Sequence, residues 1–156
     1  MSTRIPLLYT PKVLELHAGV GNFSVPLALA GAQLTAVERN RRSAILCRRN
    51  AKTVGLEFDV VEASDHELVD RLHGFDVVLL DPPRTGARAV VEPLASTPGP
   101  PRLVYVSCDS ATLARDASIL VQGGYELCSI EAFDMFPQTP HVEVLAVFDR
   151  SLPAAP

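Results

Sequence analysis

Paired cysteines, long apolar runs and a surplus of positive charge are all missing from this sequence, and each absence removes a class of protein. The three cysteines, Cys47, Cys108 and Cys128, are odd in number, far apart and without a C-x-x-C pair. That excludes a disulfide framework and offers no spacing for zinc or an iron–sulfur cluster, so no metal and a reducing, cytoplasmic setting are expected. No stretch approaches the ~18–20 apolar residues of a membrane span. The start, Met1 to Leu8, is too short and too broken by Pro6 for a signal peptide. A formal net charge of −4 argues against holding nucleic acid by bulk electrostatics. There is no repeat and no sign of a second domain. The 156 residues suit one domain, expected over 1–150, with 151–156 as a disordered tail.

The charge is unevenly spread. Arg39 to Lys52 holds six basic residues and no acid, which leaves −10 on the rest of the chain. A localised basic patch therefore sits on an acidic body. Salt-dependent contact with phosphate is one use for such a face, and a plain solvated helix surface is the other.

Strand and helix patterns alternate along the chain. Lys12 to His17 reads as a first strand. A glycine turn with Gly19 and Gly21 follows, then a helix from Ser24 to Ala30 that tolerates Pro26 in its first turn. Strand, glycine turn and helix in succession open a nucleotide-binding βαβ unit, where backbone can approach a ligand closely. Gln33 to Glu38 reads as the second strand. Its terminal Glu38 falls 17 residues after Gly21, spaced to accept hydrogen bonds from a ribose diol. Ser24 stands where a dinucleotide fingerprint wants its third glycine, which favours an adenosine-bearing ligand without a pyrophosphate.

The next helix, Arg41 to Val54, carries Ala44, Cys47, Ala51 and Val54 on one face, so Cys47 is expected in the core. A strand over Glu57 to Glu62 leads to Asp65, which either caps the following helix or meets a ligand's base. Phe75 to Leu80 is nearly all apolar, as expected of a central parallel strand buried on both faces. It runs into Asp81-Pro82-Pro83-Arg84, where two prolines turn the chain outward and leave Asp81 at the strand's carboxyl end. A helix over Ala87 to Ala95 follows.

Leu103 to Asp109 is a strand that stops at a thiol. Carboxyl ends of strands in open α/β sheets face the ligand crevice, so Cys108 is placed for covalent chemistry, the other reading being a small buried residue. Asp109 or Ser110 can cap a helix over Ala111 to Val121, whose amino terminus favours a thiolate at Cys108. Tyr125 to Phe133 reads as a strand, with Cys128 expected in the core. An irregular loop from Asp134 to His141 leads to a last strand, Val142 to Asp149. With no helix between them, these two strands suggest an antiparallel hairpin at the sheet edge.

Five strand-then-helix units closed by a hairpin is the order of the class I methyltransferase fold, a Rossmann-like α/β doubly wound sheet that binds S-adenosylmethionine. Four stretches carry a closer resemblance: Glu15 to Phe23, Leu80 to Arg84, Val104 to Asp109, and Asp134 to Glu143 with its Met-Phe-Pro run. Together they resemble the catalytic domain of the RNA uracil-5-methyltransferases, over about Val13 to Phe148. The resemblance implies roles for single residues. Cys108 would be the nucleophile that adds to uracil carbon 6, and Glu143 the base that removes the carbon 5 proton. Asp81 would hydrogen-bond the uracil edge. Gly19, Gly21, Glu38, Asp81 and Asp65 would face S-adenosylmethionine, and His141 would orient the Glu143 loop.

It also implies ribosomal or transfer RNA as the partner, gripped with help from an RNA-binding domain or partner chain. Asp109-Ser110 stands where the family commonly has Asn-Pro, and His17-Ala18 where Tyr-Cys is frequent. Two other readings stay open: a cofactor-binding module without turnover, and a methyltransferase of the same fold acting on another substrate.

Overall fold

The computed structural model describes residues 9–64, 67, 72, 74–135, 138 and 142–150. Asp65, His141 and the tail 151–156 lie outside the described residues. Among the described residues seven strands and four helices follow one another: β1 (Lys12–Leu16), α1 (Ser24–Leu29), β2 (Gln33–Val37), α2 (Arg41–Thr53), β3 (Asp59–Val61), β4 (Val77–Leu80), α3 (Arg88–Ser96), β5 (Arg102–Ser107), α4 (Ser110–Gln122), β6 (Glu126–Phe133) and β7 (Glu143–Asp149). They form one seven-stranded sheet in the order β3-β2-β1-β4-β5-β7-β6.

β1 pairs in parallel with both β2 and β4, and β4 with β5. The order therefore runs outward one way from β1 to β3 and the other way from β4 to β5. Chains leaving β1 and β4 diverge to opposite flanks, and the crevice between such strand ends is where doubly wound sheets bind ligands. β7 inserts antiparallel between β5 and β6. The expected hairpin is present at the edge, with the earlier strand, β6, outermost.

Burial follows the sequence pattern where strands are central. Leu14, Leu16, Val78, Leu80, Leu103, Tyr105 and Phe148 are all fully buried in one continuous core. On α2, Ala44, Cys47 and Ala51 are buried as the periodicity requires, and Cys47 joins Ala18 and Ala36 in a smaller cluster. Val54, expected on that face, is half exposed, because the helix ends at Thr53 and the chain turns away. Cys128, expected in the core, is exposed. It falls at a register shift between Leu127 and Ser129 on the outermost strand, where a bulge breaks the alternation and every β6 residue is exposed. Among the described residues no helix is long and apolar enough to cross a membrane.

The two helices on one side of the sheet touch at a glycine. A Cβ on Gly123 would lie 2.3 Å from Ala95 Cα and 2.5 Å from Ala95 Cβ, so α3 and the end of α4 are as close as backbone allows. Gly123→Ala is expected to destabilise the fold by about 1–3 kcal/mol, the usual cost of overpacking a filled interior, read as a lower urea midpoint with an unchanged slope. A variant as stable as the parent would contradict that packing.

Candidate active site

β1 ends at Leu16, and the chain enters left-handed backbone at once: His17 has φ 63, Gly19 φ 57 and Gly21 φ 93. Only glycine takes such angles freely, and His17 is held there by its surroundings. A Cβ on Gly19 would meet nothing within 4 Å, so that side of the turn is open. Gly21, by contrast, faces inward, where a Cβ would press on the Cys47 thiol at 3.0 Å. The two glycines share a turn and differ in purpose: Gly19 leaves room for a ligand, and Gly21 lets the turn pack on α2.

Glu38 follows β2 and is fixed from two sides. Its Oε2 accepts from the Gly19 amide at 2.8 Å and its Oε1 from the Asn40 amide at 2.6 Å. The carboxylate thus ties the glycine turn to the start of α2, with lone pairs left over for a diol. Glu38 and His17, with Ala63, Pro83 and Gly86, line a cavity of about 650 Å³. Open space over Gly19, a fixed carboxylate and a mixed lining, with Arg39, Asn40 and Arg41 on one side and Val37, Ala63 and Pro83 on the other, suit an adenosine-bearing cofactor such as S-adenosylmethionine.

A second cavity, about 560 Å³, opens at the ends of β4, β5 and β7. Asp81 and Glu143 line it, with Asn22, Phe23, Val106 and Phe133. The walls are mostly apolar, so the carboxyls are poorly solvated. Burial, and secondarily the charge of Glu143, pushes Asp81 up to about 6. Asp81 and Pro83 lie two residues apart on one loop, so the two cavities share it as a wall.

Cys108 is half-buried at the head of α4. Ser107 Oγ accepts from the Asp109 amide at 3.1 Å and donates to the Asp109 carbonyl at 2.9 Å, a tight turn that ends the strand. Asp109 then caps α4, its Oδ1 accepting from the Thr112 amide at 2.9 Å. Val106, two residues earlier, lines the cavity; Cys108 itself stands just past the end of β5, in the turn beside that lining and not within it. Ser107 pairs with Val144, so Cys108 and Glu143 each lie one residue beyond that pair, on strands about 4.8 Å apart. The chain thus brings Cys108, Glu143 and Asp81 to one end of three adjacent strands, and Gly19, Gly21 and Glu38 to the neighbouring turn.

Glu15 was not singled out by the sequence, and it belongs with this group. It is fully buried in the second-last position of β1; one oxygen accepts from Ser24 Oγ at 2.5 Å, and the other has no hydrogen-bond partner among the described residues. Burial raises it to about 7, the Ser24 hydroxyl pulls it down and the Asp81 charge pushes it up again. A lone glutamate inside an otherwise apolar strand was the available signal.

Both carboxyls sit above their ordinary values of 4.5 and 3.8. The folded state therefore takes up protons, and the stability these groups contribute is full below about pH 4 and lost as pH rises through about 6 and 7. In a carbon-13 NMR titration Asp81 should show a midpoint near 6, falling only partly towards the ordinary range in Glu143→Gln, since burial is the larger cause. An Asp81 midpoint that ignores Glu143→Gln would contradict their shared cavity.

A family profile described as tRNA (uracil-5-)-methyltransferase matches residues 8–151. The 23S rRNA (uracil(1939)-C(5))-methyltransferase RlmD of Aromatoleum aromaticum is 45% identical over 148 residues, covering 90% of this chain and 34% of that protein. The same enzyme of Acidithiobacillus ferrooxidans is 43% identical, covering 88% and 32%. The solved tRNA (uracil-54, C5)-methyltransferase of Pyrococcus abyssi, in complex with S-adenosyl-L-homocysteine, superposes with a TM-score of 0.81 at 37% identity, over 91% of this chain and 35% of that one. Magnesium protoporphyrin IX methyltransferase of Synechocystis, at 21% identity and TM-score 0.71, shares the fold. The chain spans about one third of the length of the curated relatives it matches. With a profile that runs through both cavities and the Cys108 turn, the chain belongs to the tRNA (uracil-5-)-methyltransferase family.

Proposed function

We propose that the chain carries the catalytic unit of an S-adenosylmethionine-dependent RNA uracil-5-methyltransferase, working in the cytoplasm on ribosomal or transfer RNA. The observation that supports it most is the meeting of Asp81 and Glu143 in one apolar cavity beside the Cys108 turn. S-adenosylmethionine, when bound, supplies an electrophilic methyl group, and Gly19, Glu38 and the walls around Pro83 would hold it.

Carbon 5 of uracil is a weak nucleophile, and the chain's own residues correct that. The Cys108 thiolate forms a bond to carbon 6, and the electrons of the 5,6 double bond move towards the carbon 4 carbonyl as an enolate. Carbon 5 is then nucleophilic. Once it is methylated, Glu143 takes its proton, the 5,6 double bond re-forms, and the bond to sulfur breaks to return the thiolate. Asp81 holds the uracil edge, accepting from N3–H when ionised and donating to a carbonyl when neutral. Phe133 and Met135, both exposed at the cavity mouth, offer apolar surface to a base that has left its stack.

RNA containing 5-fluorouridine tests this directly. Fluorine leaves no proton for Glu143, so a covalent complex should accumulate on a denaturing gel, requiring both cofactor and Cys108. Cys108→Ala should give no adduct and no methylation while keeping its melting temperature. Glu143→Gln should form the adduct with ordinary uridine and release it about 10²–10⁴-fold more slowly. Methylation by Cys108→Ala would contradict the covalent route. Cofactor binding with no adduct on any RNA would favour a binding module without turnover.

A further inference from the structure

Two turns into α4, behind the loop that walls the cofactor cavity, a buried carboxylate gathers a cluster of partners for which the chemistry above has no use. Asp116 is fully buried. Its Oδ2 accepts from the Ala87 amide at 2.7 Å and from the Tyr105 hydroxyl at 2.7 Å, and its Oδ1 from Arg115 Nε at 2.8 Å. Tyr105 Oη also accepts from the Ala87 amide, at 3.1 Å. Arg115 reaches on to donate to the Thr85 carbonyl at 2.9 Å. Gly86 lies flat against the cluster, where a Cβ would come within 2.4 Å of Arg115 Nη2 and 2.6 Å of Asp116 Oδ2.

Every one of these bonds ends on the loop from Asp81 to Ala87 or on the strand and helix that flank Cys108. That loop carries Asp81 into one cavity and Pro83, Thr85 and Gly86 into the other. Two prolines and a left-handed Gly86 (φ 78) leave it without a ladder of its own. A buried carboxylate is costly unless each oxygen is satisfied, and here both are, which makes the arrangement rigid.

We infer that Tyr105, Arg115 and Asp116 are positioning residues for methyl transfer: they lock the loop between the cofactor and base cavities to the helix that follows Cys108. This rests on the proposed function. The network sets the distance between the cofactor wall and the thiol, so loosening it should cost cofactor affinity and rate together. Misplacement by about 1 Å is enough to lose on the order of 10²-fold in rate.

Tyr105→Phe and Arg115→Met keep the packing and each remove one arm, with Arg88→Gln, an exposed helix pair partner, as the control. Titration with S-adenosylhomocysteine, well below each melting temperature, should show about tenfold weaker binding in both variants and none of that loss in the control. The rate of adduct formation with 5-fluorouridine RNA at saturating cofactor should fall about 10–100-fold. Lower melting temperatures with binding and adduct rate within twofold of the parent would reduce the network to a structural brace and overturn the inference. If the parent chain itself fails to bind S-adenosylhomocysteine, the proposed function falls and the inference with it.

Discussion

The pairing of Leu16 with Leu80 at the ends of β1 and β4 is the constraint on which the site depends. Beyond that pair the left-handed backbone at His17 and Gly19 ends one strand and the Pro82-Pro83 step, which lacks amide donors, ends the other, so each chain leaves the sheet at that point. One leaves through the glycine turn towards α1, the other through Asp81 and two prolines towards α3. The divergence opens the crevice, and the residues that close each strand become its walls. Asp81 stands beside the turn of β1 for this reason alone, although 60 or more residues separate it from Gly21 in the chain.

The same geometry explains the electrostatics. Strand ends in a parallel sheet crowd side chains into a space that solvent reaches poorly. Burial raises the cost of ionising both Glu15 and Asp81; the Asp81 charge adds to Glu15's, and Glu143, arriving on the antiparallel β7, adds to Asp81's. Carboxyls held with so little solvent would be a liability in a protein built only for stability. Under the proposed function, in which Asp81 holds a uracil edge, a carboxyl poised near neutrality is an advantage.

Much of this was written in the sequence in a form that periodicity could read. β1 and β4 are apolar runs ended by turn residues, and Cys108 and Asp81 stand out because each closes such a run. The β6–β7 hairpin was legible from the missing helix between them, but not the insertion of β7 inside β6, which depends on pairing preferences between distant strands. Cys128 was misplaced because β6 is the outermost strand and is exposed on both faces, which nothing local in Leu127-Cys128-Ser129 announces. Val54 continued the apolar stripe of α2 on paper, yet the helix had already ended. Asp116 carried a signal that went unused: at three residues after Leu113 and four before Leu120 it lies on the buried stripe of α4, where a charge demands partners. Its partners are on β5 and the Ala87 turn, and only the tertiary fold brings them together.

A crystal structure of the chain with S-adenosylhomocysteine tests most directly whether one crevice serves both reactants. The ribose should lie on Glu38 over the open side of Gly19, with the sulfur turned past Pro83 towards the cavity that Asp81 and Glu143 line beside the Cys108 turn. A ligand seated elsewhere, for instance in the shallow cleft between Arg48 and Phe58 on the outer flank of α2, or one whose sulfur points away from Asp81, would contradict the account.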